Sequence, residues 1–228
     1  MGGFNQEEFK RFILENGVVG FYKRPVRLKS GRFSHWYVNW RGVAEDVFLL
    51  DRLTDYIIAF TEDLGLEPEC FYGVPEGATK TGIITQYKWA RKSRGYGPGS
   101  HVLPMGRGRA KQHGAPKDRY FLGQPRGKTI VIEDVATTGD SLIAAIDSLG
   151  EAGTSVTGAF ALTDRMEVRD DGKSVREMME LREIPYYALS DALELLPEAY
   201  RMLRPGEDIA RAIEEEFERY GVRGLRMV

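Results

Sequence analysis

The chain is poor in several things, and each lack narrows what it can be. Its 228 residues include a single cysteine, Cys70. One thiol closes no internal disulfide, so a reducing, cytoplasmic setting is expected. Cys70 sits in an apolar run and reads as a small core residue. Cysteine and histidine together form no metal-ligand spacing. No apolar run approaches the length of a membrane span. The opening residues, Met1-Gly2-Gly3-Phe4-Asn5-Gln6-Glu7, do not read as a secretory signal. An excess of one charge is missing too. The formal net charge is -2, which argues against nucleic acid as a partner. No internal repeat is evident.

What is present is the composition of a soluble globular protein, 42% hydrophobic and 29% charged. The length suits one large α/β domain, or a core with a small subdomain. A helix is expected from about Asn5 to Glu15, with Phe9, Phe12 and Ile13 on one face and Gly17 ending it. Val18 to Val38 reads as short strands and turns in a small lobe. A long helix should run from about Val47 to Leu64, turning Leu49, Leu50, Leu53, Ile57 and Phe60 inward.

A strand–helix rhythm follows. Strands are expected at Cys70–Val74, His101–Met105, Thr129–Ile132, Ser155–Leu162 and Ile184–Leu189. Helices are expected at Gly82–Ala90 and Ser141–Ala152, and over Leu193–Tyr220, where Glu214-Glu215-Glu216 reads as a solvated face. This alternation favours a parallel sheet covered by helices, with ligands at the carboxyl ends of its strands. The polar stretch from Gly106 to Pro125 reads as a long loop, which in a compact domain is functional or disordered.

The most informative segment is Ile130-Val131-Ile132-Glu133-Asp134-Val135-Ala136-Thr137-Thr138-Gly139-Asp140-Ser141-Leu142. A β-branched run ends in two carboxylates, a Thr-Thr-Gly-Asp-Ser turn follows, and an apolar-periodic helix begins. Backbone N–H groups at such a turn have no intrahelical partner, and the helix dipole favours an anion there. Acids beside it can hold hydroxyls. Together they suit a sugar phosphate, although an acid at a strand end can also be only a helix cap.

This pattern resembles the phosphoribosyl pyrophosphate (PRPP) motif of the type I phosphoribosyltransferases. Three further segments are similar to the orotate phosphoribosyltransferase family. They are Leu28-Lys29-Ser30-Gly31-Arg32 with the aromatic run to Tyr37, Arg107-Gly108-Arg109-Ala110-Lys111-Gln112-His113-Gly114, and Leu162-Thr163-Asp164-Arg165. They stand in the family's order. A fourth, Gly73 to Gly82, resembles its pyrophosphate loop, which contains a cis or strained peptide in many members.

The resemblance implies a type I phosphoribosyltransferase fold: a mainly parallel central sheet flanked by helices. One domain would span the chain, with an N-terminal hood over about 1–42 and the PRPP-binding core and C-terminal helices over about 43–228. It implies transfer of phosphoribose from PRPP to orotate, in pyrimidine biosynthesis. Magnesium would be the cofactor, held mainly by PRPP and water rather than by a protein cage. The candidates for catalysis are Lys111, His113 and Asp134. PRPP would be bound by Lys80, Arg107, Lys111, His113, Glu133, Asp134, Val135, Ala136, Thr137, Thr138, Gly139, Asp140 and Ser141. Orotate would be read by Lys29, Tyr37, Thr137 and Arg165. A homodimer with shared active sites is expected, its polar loop reaching across the two-fold axis, with no nucleic-acid or membrane partner.

Two residues depart from the family's pattern. Asp140 places a carboxylate beside the phosphate turn, so its side chain should turn away, onto a helix N–H. Gly108 stands where a lysine is usual. The alternatives are a phosphoribosyltransferase for another base, and a PRPP-sensing regulator that lacks catalysis. The first would keep the PRPP turn but lose orotate contacts at Lys29, Tyr37 or Arg165. The second would not need Lys111 and His113.

Overall fold

A computed structural model describes residues 3–227. Helix α1 (Gln6–Glu15) starts at Asn5, whose side chain accepts the N–H groups of Glu7 and Glu8. An antiparallel pair follows, β1 (Val19–Arg27) and β2 (Phe33–Val38), and then helices α2 (Trp40–Glu45) and α3 (Val47–Asp63). Next come β3 (Cys70–Gly73) and α4 (Thr79–Lys92). A small antiparallel ribbon, β4 (Met105–Gly106) with β5 (Phe121–Leu122), brackets the short helix α5 (Pro116–Tyr120). The remainder alternates: β6 (Thr129–Ala136), α6 (Asp140–Glu151), β7 (Val156–Asp164), α7 (Val175–Glu180), β8 (Tyr186–Ala188), then α8 (Ala192–Leu203) and α9 (Glu207–Tyr220).

The central sheet runs β3-β6-β7-β8, all parallel. Its strands are apolar almost throughout because both faces are covered. Side chains alternate across a strand, so the sheet feeds two cores. Phe71, Ile130, Ile132, Phe160 and Leu162 pack with α1, α2, α3, α8 and α9. Tyr72, Val131, Ala159 and Ala161 pack with Leu142, Ile146 and Leu149 of α6 and with Val175 and Met179 of α7. The hood is continuous with the first core, since Trp36 of β2 lies in the same cluster as Leu53 of α3. No helix among the described residues is long and apolar enough to cross a membrane.

Several elements differ from the sequence expectation. No strand forms over 101–104. Pro104 has no N–H to give a ladder, and the Val102 carbonyl is taken by the Gln86 side chain at 2.9 Å. The stretch from Gly106 to Pro125 is not structureless, because the β4–β5 ribbon closes it and Pro116 starts a helical turn inside it. The C-terminal helical stretch is broken at Arg204-Pro205-Gly206, with Arg204 left-handed at φ 47°. Of the triple glutamate only Glu215 is solvated. Glu216 accepts from Ser34 Oγ at 2.8 Å and from the His35 N–H at 2.7 Å, and Glu214 accepts the Met227 N–H at 2.9 Å.

Candidate active site

Strand β6 runs further than its apolar residues suggest. It stays paired with β7 through Glu133, Val135 and Ala136, so the two acids lie within the strand's carboxyl end and the turn is only Thr137–Gly139. Gly139 occupies the left-handed region at φ 73° and offers α6 no side-chain cap, a conformation glycine adopts without strain. The first N–H groups of α6 therefore face outward with no side chain of their own helix satisfying them.

These residues open onto one cleft. Its floor is Glu133, Asp134, Val135, Thr137 and Ser141. Its walls come from the hood (Lys29, Tyr37), from the segment Asn39–Arg41, from the Pro75–Gly77 loop, and from Arg165 at the end of β7. A second cavity shares Lys29, Glu133, Val135, Thr137 and Ser141, and extends the cleft over Thr138, Gly139 and Asp140. Lys29 Nζ donates to Ser141 Oγ at 2.8 Å. That leaves the Ser141 hydroxyl hydrogen free to point into the cavity, beside a cation and a helix N-terminus. Such a group of donors can hold a phosphate.

Glu133 is 5% exposed. Burial, reinforced by the neighbouring Asp134 carboxylate, pushes its carboxyl well above the usual range. Glu133 therefore holds its proton to higher pH than a solvated glutamate does. Asp134 reaches the Pro75–Gly77 loop: a Cβ at residue 77 would sit 2.1 Å from Asp134 Oδ2, so a larger residue there would displace this carboxylate. The Pro75–Glu76 peptide in this loop is cis.

Arg165 is both a cleft residue and a buried one, 1% exposed. Its guanidinium stacks on the Trp36 ring, 3.6 Å from the centroid. Nε donates to Glu167 Oε1 at 2.8 Å and Nη2 to Ser34 Oγ at 3.0 Å. Three partners thus fix its plane, while Nη1 makes no hydrogen bond among the described residues. Arg32 adds a second ion pair to Glu167 at 3.1 Å. Trp36, Ser34, Glu167 and Glu216 form this support; Ser34 and Trp36 lie within the Leu28–Tyr37 segment but have no role assigned there. Arg41, Asn39 and Glu76 also line the cleft without having stood out in the sequence.

Other expected residues lie elsewhere. Lys80 Nζ donates to the Ala44 carbonyl near the end of α2 at 3.2 Å, and Lys80 does not line the cleft. Ala136 is 1% exposed and packs into the second core. Arg107, Lys111 and His113 belong to the β4–β5 excursion and line neither cavity. Backbone contacts tie the excursion to itself, Arg107 N–H to Tyr120 at 2.8 Å and Lys111 N–H to Arg119 at 3.0 Å. Gly108 faces Glu76, and a Cβ there would lie 2.6 Å from Glu76 Oε1. Asp140 turns onto the Thr138 hydroxyl at 2.8 Å and onto Arg169 at 2.7 Å, not onto a helix N–H. Burial opposes its ionisation, but Thr138 and Arg169 outweigh this and hold its carboxyl below the usual value.

Among the described residues no group of three or more His, Cys, Asp and Glu side chains converges as a metal cage. The hard oxygen donors of the cleft are Glu133, Asp134 and Glu76. They suit a hydrated divalent ion that a phosphorylated ligand brings with it.

No family model matches the chain. An orotate phosphoribosyltransferase of Cenarchaeum symbiosum is 36% identical over 214 residues, 90% of this chain and 95% of the relative. Another, from Methanopyrus kandleri, is 29% identical over 175 residues, 75% of this chain and 85% of its own. Among solved structures, the Francisella tularensis orotate phosphoribosyltransferase superposes with a TM-score of 0.67 at 20% identity, covering 94% of this chain and 99% of that one. The fold is therefore that of the type I phosphoribosyltransferases, and the chain belongs to the orotate phosphoribosyltransferase family.

Proposed function

We propose that the chain joins orotate to PRPP, giving orotidine 5'-monophosphate and pyrophosphate in pyrimidine biosynthesis. The observation that carries this reading is the single cleft in which the Glu133–Asp134 pair, the Thr137–Ser141 turn and the hood residues Lys29 and Tyr37 meet Arg165. The turn would receive the 5'-phosphate on its N–H groups, Ser141 and Lys29. Asp134, with Glu133 behind it, would hold the ribose hydroxyls. Arg165, with its plane fixed and Nη1 open, would meet the acceptors of orotate, beside Tyr37 and Thr137. A locked guanidinium suits such acceptors better than a mobile ammonium would.

Displacement at the anomeric carbon sends a bond pair to pyrophosphate and leaves positive character on the sugar. The protein's task is to place cations at the departing oxygens and keep water out. Lys111 and His113 are the candidates, yet they lie outside their own cleft. That supports a homodimer in which each excursion serves the partner's site. Magnesium would enter with PRPP, beside Asp134 and Glu133, and supply charge neutralisation to the pyrophosphate. Cytoplasmic location is part of the same proposal. It fits a thiol that burial raises to about 11 and keeps unreactive, that of Cys70.

The test is turnover of orotate with PRPP and magnesium by the wild-type chain and by Asp134→Asn. Orotate should be consumed by the first. The second should fall by about 10²-fold, the scale of losing one preorganised contact to the reacting centre. Failure of the wild type to consume orotate, or equal rates in both, would overturn the assignment.

A further inference from the structure

The Thr137–Ser141 turn is built to receive an anion, yet it carries one of its own. Asp140 lines the same cavity as Lys29, Thr138 and Ser141, and its side chain is 67% exposed. A carboxylate within a few ångströms of a phosphate repels it, and at a separation well inside the Debye length salt screens that repulsion only in part. A hydrogen bond compounds the problem. The Thr138 hydroxyl donates to Asp140 Oδ2 at 2.8 Å, so that proton is not available to a ligand. Left alone, Asp140 would be an internal competitor for the site.

It is not left alone. Arg169, from the turn between β7 and α7, pairs with Asp140 Oδ1 through Nη1 at 2.7 Å, and the same nitrogen donates to the Thr138 carbonyl. Arg169 is itself held in place. Its N–H donates to the Lys173 carbonyl at 2.8 Å, the flanking Val168 and Ser174 form a bridge, and its side chain is 21% exposed. Its Nε is buried with no hydrogen-bond partner, and Asp171 Oδ1 lies 3.8 Å away. The guanidinium therefore clamps both the charge and the backbone of the turn from outside the cavity, which it does not line.

We propose that Arg169 is a positioning residue of the phosphate turn: it draws the Asp140 carboxylate aside and cancels its charge, so that the turn accepts a phosphomonoester. The proposal rests on reading Thr137–Ser141 as the 5'-phosphate site. Arg169 acts through Asp140, so its removal should harm binding only while Asp140 remains charged.

That dependence is the test. Binding of PRPP with magnesium, and of ribose 5-phosphate alone, would be measured by calorimetry on the full chain. The variants are Arg169→Ala, Asp140→Asn, the double variant, and Ser141→Ala as a control for the site. Arg169→Ala should weaken both ligands by about tenfold, as expected for one uncompensated charge near a phosphate. It should raise the KM for PRPP far more than it lowers kcat, and the defect should shrink at high salt. Adding Asp140→Asn should restore most of the affinity, a coupling that independent sites do not show. Asp140→Asn alone should bind at least as tightly as wild type. A double variant as weak as Arg169→Ala would overturn the proposal, because Arg169 would then shape the turn or meet the ligand independently of Asp140. If Ser141→Ala binds both ligands like wild type, the phosphate lies elsewhere and the reading of the turn fails with the proposal. If Ser141→Ala weakens binding while Arg169→Ala does not, only the proposal fails.

Discussion

At the scale of single residues the cleft depends on buried charge held by specific partners. Arg165 is the clearest case, with Glu167, Ser34 and the Trp36 face each fixing one part of the guanidinium. Arg165→Lys keeps the charge and loses the planar fork. The KM for orotate should rise by about tenfold or more, the discrimination expected when a paired polar contact is lost, while PRPP affinity holds. Equal affinity for both ligands in the variant would remove Arg165 as the base reader. Glu133 gives a stability prediction with a definite sign. Its native carboxyl is raised above the ordinary 4.5, first by burial and then by Asp134. Below the ordinary value both folded and unfolded chains hold the proton. Above it the unfolded chain releases the proton first, so stability falls as pH climbs toward the raised native value. Glu133→Gln removes this loss. The variant should gain melting temperature over wild type on passing from acidic to neutral pH. A difference between the two that stays constant with pH would show that Glu133 is not protonated in the folded chain.

At the scale of elements, what was local in sequence was legible, and what was assembled from distant segments was not. The strand–turn–helix from Ile130 to Leu142 was readable because its parts are neighbours along the chain. Its boundary was misplaced because pairing to β7 carries the strand past the apolar run to Ala136. Helix α7 was missed despite a readable sign, the capping box Ser174…Glu177; the helix is only six residues long. The support of Arg165 was legible only in its local part, the pairing with Glu167 two residues on; its contact with Ser34 spans 131 positions. The resemblance assigns Lys80 to PRPP; its ammonium gives one hydrogen bond to the end of α2 and keeps its other donors for a ligand. The β4–β5 excursion is the element whose role most needs measurement. Arg109, Lys111, His113 and Lys117 are exposed and contribute nothing to either core. Lys111→Ala should therefore leave thermal stability unchanged and lower kcat by about 10²-fold or more, the scale set by loss of one preorganised donor. Turnover near wild type would place leaving-group stabilisation elsewhere.

At the scale of the whole molecule, the excursion abuts the Pro75–Gly77 wall of the cleft through Gly106 and Gly108, yet Arg107, Lys111 and His113 do not line it. The proposed two-fold pairing would bring cations and cleft together, and symmetric dimers are the commonest assemblies. Mixing inactive Lys111→Ala with inactive Asp134→Asn should restore part of the activity, because one site of each mixed dimer would carry neither defect. No recovery, with subunit exchange demonstrated, would put each excursion over its own cleft. In the proposed reaction this cleft transfers phosphoribose to orotate and chooses orotate by the locked Arg165 and the hood. This proposal is tested most directly by offering the wild-type chain PRPP, magnesium and an equimolar mixture of orotate, uracil, adenine and hypoxanthine, and identifying the nucleotide formed. Orotidine 5'-monophosphate should be the dominant product, with one pyrophosphate released for each. Preferential formation of another nucleotide, or none at all while PRPP still binds, would contradict the proposal.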